Sequence, residues 1–269
     1  MRKPVAIGFY PSNPKALEAD VKKYLVSETK IKNPLGAIVP HAGYVFSGAV
    51  AGATLKAAET GKRNFIIFCP NHTGYGSPIA TSKDDWQTPL GVVKTNKAIA
   101  DKLGIGINES SHKFEHSAEV QLPFLQVLYK DFTVVPICLS DIGIEELNSI
   151  ADKLAAYHGS SFYIASSDFI HFGSMYAYEP VSGSIEDQVT WVKKKDAGLI
   201  EKICKLDAEG FYNEITEKGY TVCGFVPITL LLLVMKRIGA KKGSLIKYMT
   251  SYDTQMNDSF VSYAGIVFD

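Results

Sequence analysis

The sequence predicts an α/β fold with a mainly parallel central sheet and helices on both faces. Two observations carry the prediction. Short apolar runs rich in β-formers alternate with longer segments of helical periodicity, the order that βαβ crossovers produce. Composition also stays even along all 269 residues, with no repeat, low-complexity tract or linker, so residues 1–269 read as one domain.

The elements follow in chain order. Residues 15–30 place Leu17, Val21, Tyr24 and Leu25 at amphipathic spacing after Pro14, which suits a first helical turn. A strand at 35–39 ends at Pro40, and the Ala- and Gly-rich stretch 47–59 reads as a helix able to approach a sheet closely. A second strand, 64–69, again ends at a proline, Pro70. Short strands are expected at 78–82 and 90–94, with turn signals at Asp84, Asp85 and Gly91. Helix 117–129, strand 132–139, helix 144–157 and strand 162–165 continue the alternation. Helices at 188–204, 207–216 and 225–238 precede strands 245–251 and 260–268, which are expected to pair antiparallel at one edge.

Composition excludes several classes. Twenty-eight basic and 28 acidic residues give no net charge, so nothing global draws the chain to nucleic acid or to an anionic membrane. Pro227 and Thr229 interrupt the most apolar stretch, 225–235, which is far shorter than the roughly 20 residues of a spanning helix. Prolines at 4, 11 and 14 leave no room for a signal peptide's apolar segment, so a cytoplasmic protein is expected. The four cysteines are scattered, which argues against a disulfide scaffold or a four-cysteine zinc site. There is no Walker A loop, no dinucleotide-binding glycine motif after a strand and no nucleophile elbow.

Functional side chains in open parallel sheets collect beyond the carboxyl ends of the strands. The residues found there are Pro40-His41-Ala42-Gly43 after the first strand, Asn71-His72-Thr73-Gly74 after the second, and Ser166-Ser167-Asp168-Phe169-Ile170-His171 after the strand at 162–165. Three of six histidines therefore stand at three strand exits. Convergent imidazoles suit Fe, Cu, Ni or Zn, and a histidine is also the side chain most easily poised for proton transfer. His41 and His72 are the candidate centre. Asp168 and His171, three residues apart, fit a base and an orienting carboxylate, or else a helix-capping aspartate beside an unrelated histidine.

His112 and His116 are four apart beside Glu115 and Glu119, but the run is not H-E-x-x-H. A loop is expected there, with His112 exposed and His116 able to line the crevice. His158 suits a helix carboxyl end. Cys223 precedes the apolar helix at 225–238, where a helix amino terminus would lower its pKa and favour thiolate; a buried structural cysteine is the alternative. Cys69, Cys138 and Cys204 read as core residues.

The segments PHAGYVFSG (40–48), PNHTGYG (70–76), EHSAEVQLPFL (115–125), SSDFIHFG (166–173) and CGFVPI (223–228) resemble the Memo family, mediators of ErbB-driven cell motility, known in prokaryotes as AmmeMemoRadiSam system protein B. The matches run through most of the chain. That family is similar in fold to class III extradiol dioxygenases, in which two histidines and a carboxylate hold non-haem Fe(II). The resemblance implies His41, His72 and Cys223 as metal ligands, with cysteine in the carboxylate's place. It also implies His171 as the acid–base histidine beside Asp168, with His116 a further cleft candidate. Many relatives carry arginine after Cys-Gly, where this chain has Phe225; if that arginine neutralises an anionic substrate, the resemblance does not carry the substrate class to this chain.

The expectation is a metal-dependent oxidoreductase, with Fe(II) first and Cu or Zn as alternatives, acting on an unidentified small molecule or peptide. A thiolate is softer and more easily oxidised than a carboxylate, so ring-cleaving activity does not transfer with the fold. The competing readings are a non-catalytic peptide- or ligand-binding module and a zinc hydrolase with an activated water.

Overall fold

The computed structural model describes residues Met1–Asp269. In chain order the elements are α1 Pro14–Tyr24, β1 Gly36–Val39, α2 Tyr44–Ala57, β2 Asn64–Pro70, β3 Ile79–Thr81, β4 Trp86–Thr88, β5 Gly91–Thr95, α3 Lys97–Lys102 and α4 Glu109–His112. A 3₁₀ turn, Glu119–Gln121, leads into α5 Leu122–Leu128, then β6 Thr133–Leu139, α6 Ile144–Ala155, β7 Ser161–Ser166 and β8 His171–Phe172. The chain closes with α7 Ile185–Cys204, α8 Ala208–Lys218, α9 Phe225–Arg237, β9 Gly243–Thr250 and β10 Phe260–Phe268.

The strands form one mixed sheet in the order β4-β5-β6-β2-β7-β1-β10-β8, with β3 against β6 and β9 against β10. Pairs β5–β6, β6–β2, β2–β7 and β7–β1 are parallel, as βαβ crossovers require. β2 and β7 are buried along nearly their whole length, which is why they read as unbroken apolar runs rather than alternating ones. One core lies between the sheet and α6, α7, α8 and α9; the other lies between the sheet and α1, α2 and α5. The expected mainly parallel sheet with helices on both faces is therefore present. No helix is long and apolar enough to cross a membrane.

Several boundaries differ from the sequence reading for local reasons. α1 stops at Tyr24, and just beyond it the Ser27 hydroxyl donates to Thr29 O and accepts Thr29 N–H, a local turn in place of a continued helix. The segment expected as helix 117–129 starts as a tight 3₁₀ turn and becomes α-helical at Leu122, where Pro123 sits in the first turn and needs no N–H partner. β9 and β10 do pair antiparallel, but β10 is not at an edge. It is buried throughout and bonds β1 on its other side. β4, β8 and the asparagine-capped α3 and α4 are too short to show a period.

What matters for function is that β1, β2, β6 and β7 all end on the same side of the sheet. Val39, Pro70, Leu139 and Ser166 are their last residues, so the loops that follow share one rim.

Candidate metal centre

Four histidines and a cysteine from separate loops meet at this rim. His41 follows β1, His72 follows β2, His116 precedes the 3₁₀ turn, His171 opens β8, and Cys223 precedes α9. The cleft that the four histidines line has a volume of about 530 Å³. The ring centres of His41, His72 and His116 lie 5.0 to 5.6 Å apart. The Cys223 Sγ is 3.1 Å from His41 Nε2.

Each imidazole is turned by what its Nδ1 meets. Ser166 Oγ donates to Ser117 O at 2.7 Å and receives Gln121 Nε2 at 2.9 Å, so at 3.1 Å from His41 Nδ1 it acts as acceptor. That assigns the proton to His41 Nδ1 and leaves Nε2 facing the cysteine. His72 Nδ1 lies 2.9 Å from Glu115 Oε1, and the same carboxylate takes the His72 N–H at 2.7 Å and the Ser117 hydroxyl at 2.6 Å. His171 Nδ1 meets two carbonyls, Phe169 O at 3.0 Å and Thr221 O at 2.9 Å. Carbonyls only accept, so His171 also holds its proton on Nδ1. Three Nε2 atoms are thereby aimed away from their supports.

Electrostatics follow burial. His41 is 2% exposed. Burial first, and repulsion from His72, His116 and His171 next, hold its pKa well below the ordinary value. Burial pushes His116 down to about 4 against the pull of Glu115. For His72 burial acts downward too, but hydrogen bonds with Cys223 and Glu115 outweigh it and raise the ring to about 10. Glu115 responds in kind: burial would raise it, and His72 brings it down to about 2.

Cys223 departs from expectation. Burial pushes its thiol up, more than the neighbouring His72 draws it down, so proximity to a helix amino terminus does not make it a free thiolate. It lies one residue before the capping Gly224, outside the first turn. Gly224 is needed there, because a Cβ would lie 2.4 Å from Ser167 Cβ. A metal ion would supply the positive charge that the helix does not.

Asp168 also takes a different part. Its Oδ1 accepts the His41 N–H at 2.8 Å and the Ala42 N–H at 3.2 Å, so it fastens the His41 loop. The partners of His171 Nδ1 are the carbonyls of Phe169 and Thr221. His112, expected to be exposed, is fully buried. Its carbonyl receives Arg2 Nε at 2.6 Å, its Nε2 faces Ala80 O at 3.2 Å, and its ring packs edge-on against Trp86. His158 does lie in the turn after α6, bonded to Ala155 O. Cys69 and Cys138 are core residues, whereas Cys204 is only partly buried.

Sequence reasoning missed the supports. Glu115 and the Gln121–Ser166–Ser117 network orient the rings, and Phe9 stacks on His116 at 4.1 Å. Arg2 pairs with the buried Glu119, which also accepts from Tyr10, and donates to Glu115 O at 2.5 Å. None of these has a local pattern. The one available signal was the pair Glu115 and Glu119 on either side of His116. The far wall, including Gln255, Asn257 and Tyr263, comes from the turn after β9 and from β10, and no lysine or arginine lines the cleft.

Two sets of three donor atoms lie mutually within 4.8 Å: His41, His72 and His116, and His41, Asp168 and Cys223. His41 belongs to both; the set expected from sequence, His41, His72 and Cys223, is neither of them, for His72 and Cys223 fall in different sets. Nitrogen and sulfur donors on one tetrahedral ion are about 3.5 Å apart. The 3.1 Å between Sγ and His41 Nε2 is close to that spacing, so this pair of donors fits an ion of this kind.

The family model described as Memo-like protein matches residues 2–267. A MEMO1 family protein of Methanosarcina barkeri is 37% identical over 99% of both chains, and one of Methanococcoides burtonii is 40% identical over 99% of both. A solved structure, an uncharacterized protein of Escherichia coli K12, is 14% identical over 75% of this chain and 84% of its own, with a TM-score of 0.40.

Proposed function

The chain belongs to the Memo-like protein family, and on that premise we propose that its cleft is a mononuclear metal centre serving oxidoreductase chemistry. His41, His72 and Cys223 hold the ion, with Fe(II) the first candidate and Cu or Zn next. The observation that carries this reading is the common aim of the imidazoles. His41, His72 and His171 each fix Nδ1 on an acceptor and present Nε2, while the Cys223 sulfur sits beside His41. Such outer partners orient metal-bound imidazoles and raise their basicity.

When bound, the ion supplies Lewis-acid and redox chemistry. The chain does the rest. His171, with Nδ1 committed to two carbonyls, takes a proton from a substrate hydroxyl at Nε2 and returns it later. Asp168 keeps the His41 loop in register. Phe9, Phe46 and Tyr176 give the cleft apolar walls, and Gln255 and Asn257 offer neutral hydrogen-bonding groups. A substrate with an uncharged body suits this lining better than one needing a fixed cation. Phe225 fits the same picture, for it packs on Tyr212 and does not line the cleft.

The test is metal analysis of protein purified without chelators under anaerobic conditions, beside Cys223→Ser. About one ion per chain in the wild type and a marked loss in the variant support the centre. Folded wild type without metal, and unable to take it up, removes it.

A further inference from the structure

The sheet has a second cavity, at the end where its parallel strands begin. Asn64 opens β2 and Thr133 opens β6, and with Val92 and Lys94 of β5 they line a space of about 660 Å³. By strand length it lies roughly 20 Å from the metal cleft, and it shares no residue with that cleft. We propose that this cavity binds a phosphate ester with a flat apolar body. The inference does not rest on the metal centre.

The hydrogen-bonding capacity left over in the lining is the first argument. Asn96 Oδ1 caps α3 by accepting Ile99 N at 3.1 Å, so its Nδ2 is the group that donates to Asn64 Oδ1 at 2.7 Å. The Thr133 hydroxyl donates to the same Asn64 oxygen, which leaves Asn64 Nδ2 as a spare donor. Thr88 Oγ1 accepts Leu90 N at 3.1 Å and sends its proton to Gln126 Oε1 at 2.6 Å, which leaves Gln126 Nε2 spare as well. Arg63 lies over the Tyr129 ring at 5.0 Å and bonds only through Nη1, to Thr60 O at 3.2 Å and Lys62 O at 2.8 Å. Its Nε and Nη2 are unused.

Charge points the same way. Lys94 is taken by Asp85 at 2.8 Å, but Arg63 and Lys130 pair with no carboxylate, and Asp131 is the one acid in the lining. Spare donors from a loop, a strand start, a helix and a second loop, two of them cationic, suit the three terminal oxygens of a phosphate better than the two of a carboxylate. Across the turn at Thr60 and Gly61, a neighbouring cavity lined by Lys30 and Lys32 against Glu59 adds to the positive field. The chain's zero net charge conceals this local excess.

The wall beside the donors sets the rest of the ligand. Leu90, Val92 and Phe132 line it, and Val92 is 46% exposed. Phe132 is held edge-on against Phe65 at 5.7 Å and is half-buried, so the ring is fixed in place while still bordering the cavity. A flat apolar group packs on that wall; a bare inorganic anion leaves it unused.

The experiment titrates phenyl phosphate, inorganic phosphate, benzoate and phenol separately into the full chain at low salt, following backbone amide shifts by NMR. Phenyl phosphate is expected to saturate with a Kd of about 1 mM or tighter, to move the amides of 63–64 and 126–133, and to bind more tightly than the other three. Arg63→Ala and Lys130→Ala, both surface changes, should each weaken it about tenfold, as loss of a charge-assisted bond does, while Lys194→Ala on the exposed face of α7 should not. No saturable binding, or shifts centred on His41 and His72 instead, overturns the site. Benzoate binding as tightly as phenyl phosphate overturns the phosphate assignment, and inorganic phosphate binding as tightly overturns the apolar body. Equal weakening by Lys194→Ala overturns the proposal by reducing it to general charge attraction.

Discussion

Replacing Glu115 with glutamine tests whether one buried carboxylate sets the geometry of the whole rim. The side chain is fully buried and takes bonds from His72 N and Ser117 N and from the Ser117 hydroxyl, besides facing His72 Nδ1. Glutamine keeps the shape but has one acceptor oxygen and no charge. In the folded protein burial raises the Glu115 pKa and the bonds to His72 more than reverse it, from 4.5 to about 2. That difference corresponds to about 3 kcal/mol of stability at pH 7. A carboxyl whose folded pKa lies below its unfolded one contributes fully above about pH 4.5, and the contribution disappears as pH falls through about 2. At pH 3 roughly 1.4 kcal/mol should remain. Urea unfolding of wild type and Glu115→Gln at the two pH values measures the gap directly. A gap below about 1 kcal/mol at pH 7, or one that does not shrink at pH 3, refutes the assignment of the carboxylate as an ionised support.

Other consequences can be checked singly. His171→Ala should retain the metal content of wild type while any turnover falls about 10²- to 10⁴-fold, the usual range for a lost acid–base group; parallel loss of metal would show that His171 is a ligand instead. Gly224→Ala should fold yet hold metal weakly, because its Cβ would strike Ser167 and move Cys223; unchanged affinity would mean that the turn has slack. Asp196, buried against Tyr248 at 2.6 Å, has its pKa raised by burial to about 7. The folded chain then binds an extra proton between about pH 3.8 and 7, so stability declines as pH rises through that window. Asp196→Asn should therefore stabilise at pH 8, by about 4 kcal/mol at most, and the gain should vanish near pH 4. A gain independent of pH would contradict the burial of an ionisable carboxyl.

The parts of this fold legible in the sequence were those with a local signal. β1 and β2 showed as short apolar runs closed by prolines, and His41 and His72 could be placed because they follow those runs directly. What escaped was set by contacts across long stretches of chain. His112 looked exposed among polar neighbours, yet Arg2, 110 residues away, bonds its carbonyl and helps to seal it in. Asp168 and His171 are neighbours in sequence, but Asp168 serves the backbone of His41, 127 residues distant. The thiol of Cys223 was judged from its place before a helix, whereas burial decides its pKa. Glu115 opens the EHSAEVQLPFL segment, but nothing in that segment showed what it holds, and its partners come from β2's loop and from Ser117.

Elemental analysis of anaerobically purified wild type alongside Cys223→Ser bears most directly on whether remote loops assemble one ion-binding point. A single bound ion per wild-type chain, much reduced when the sulfur is replaced by oxygen, is the predicted result. Equal metal content in the two proteins, or a folded wild type that takes up none, would contradict it.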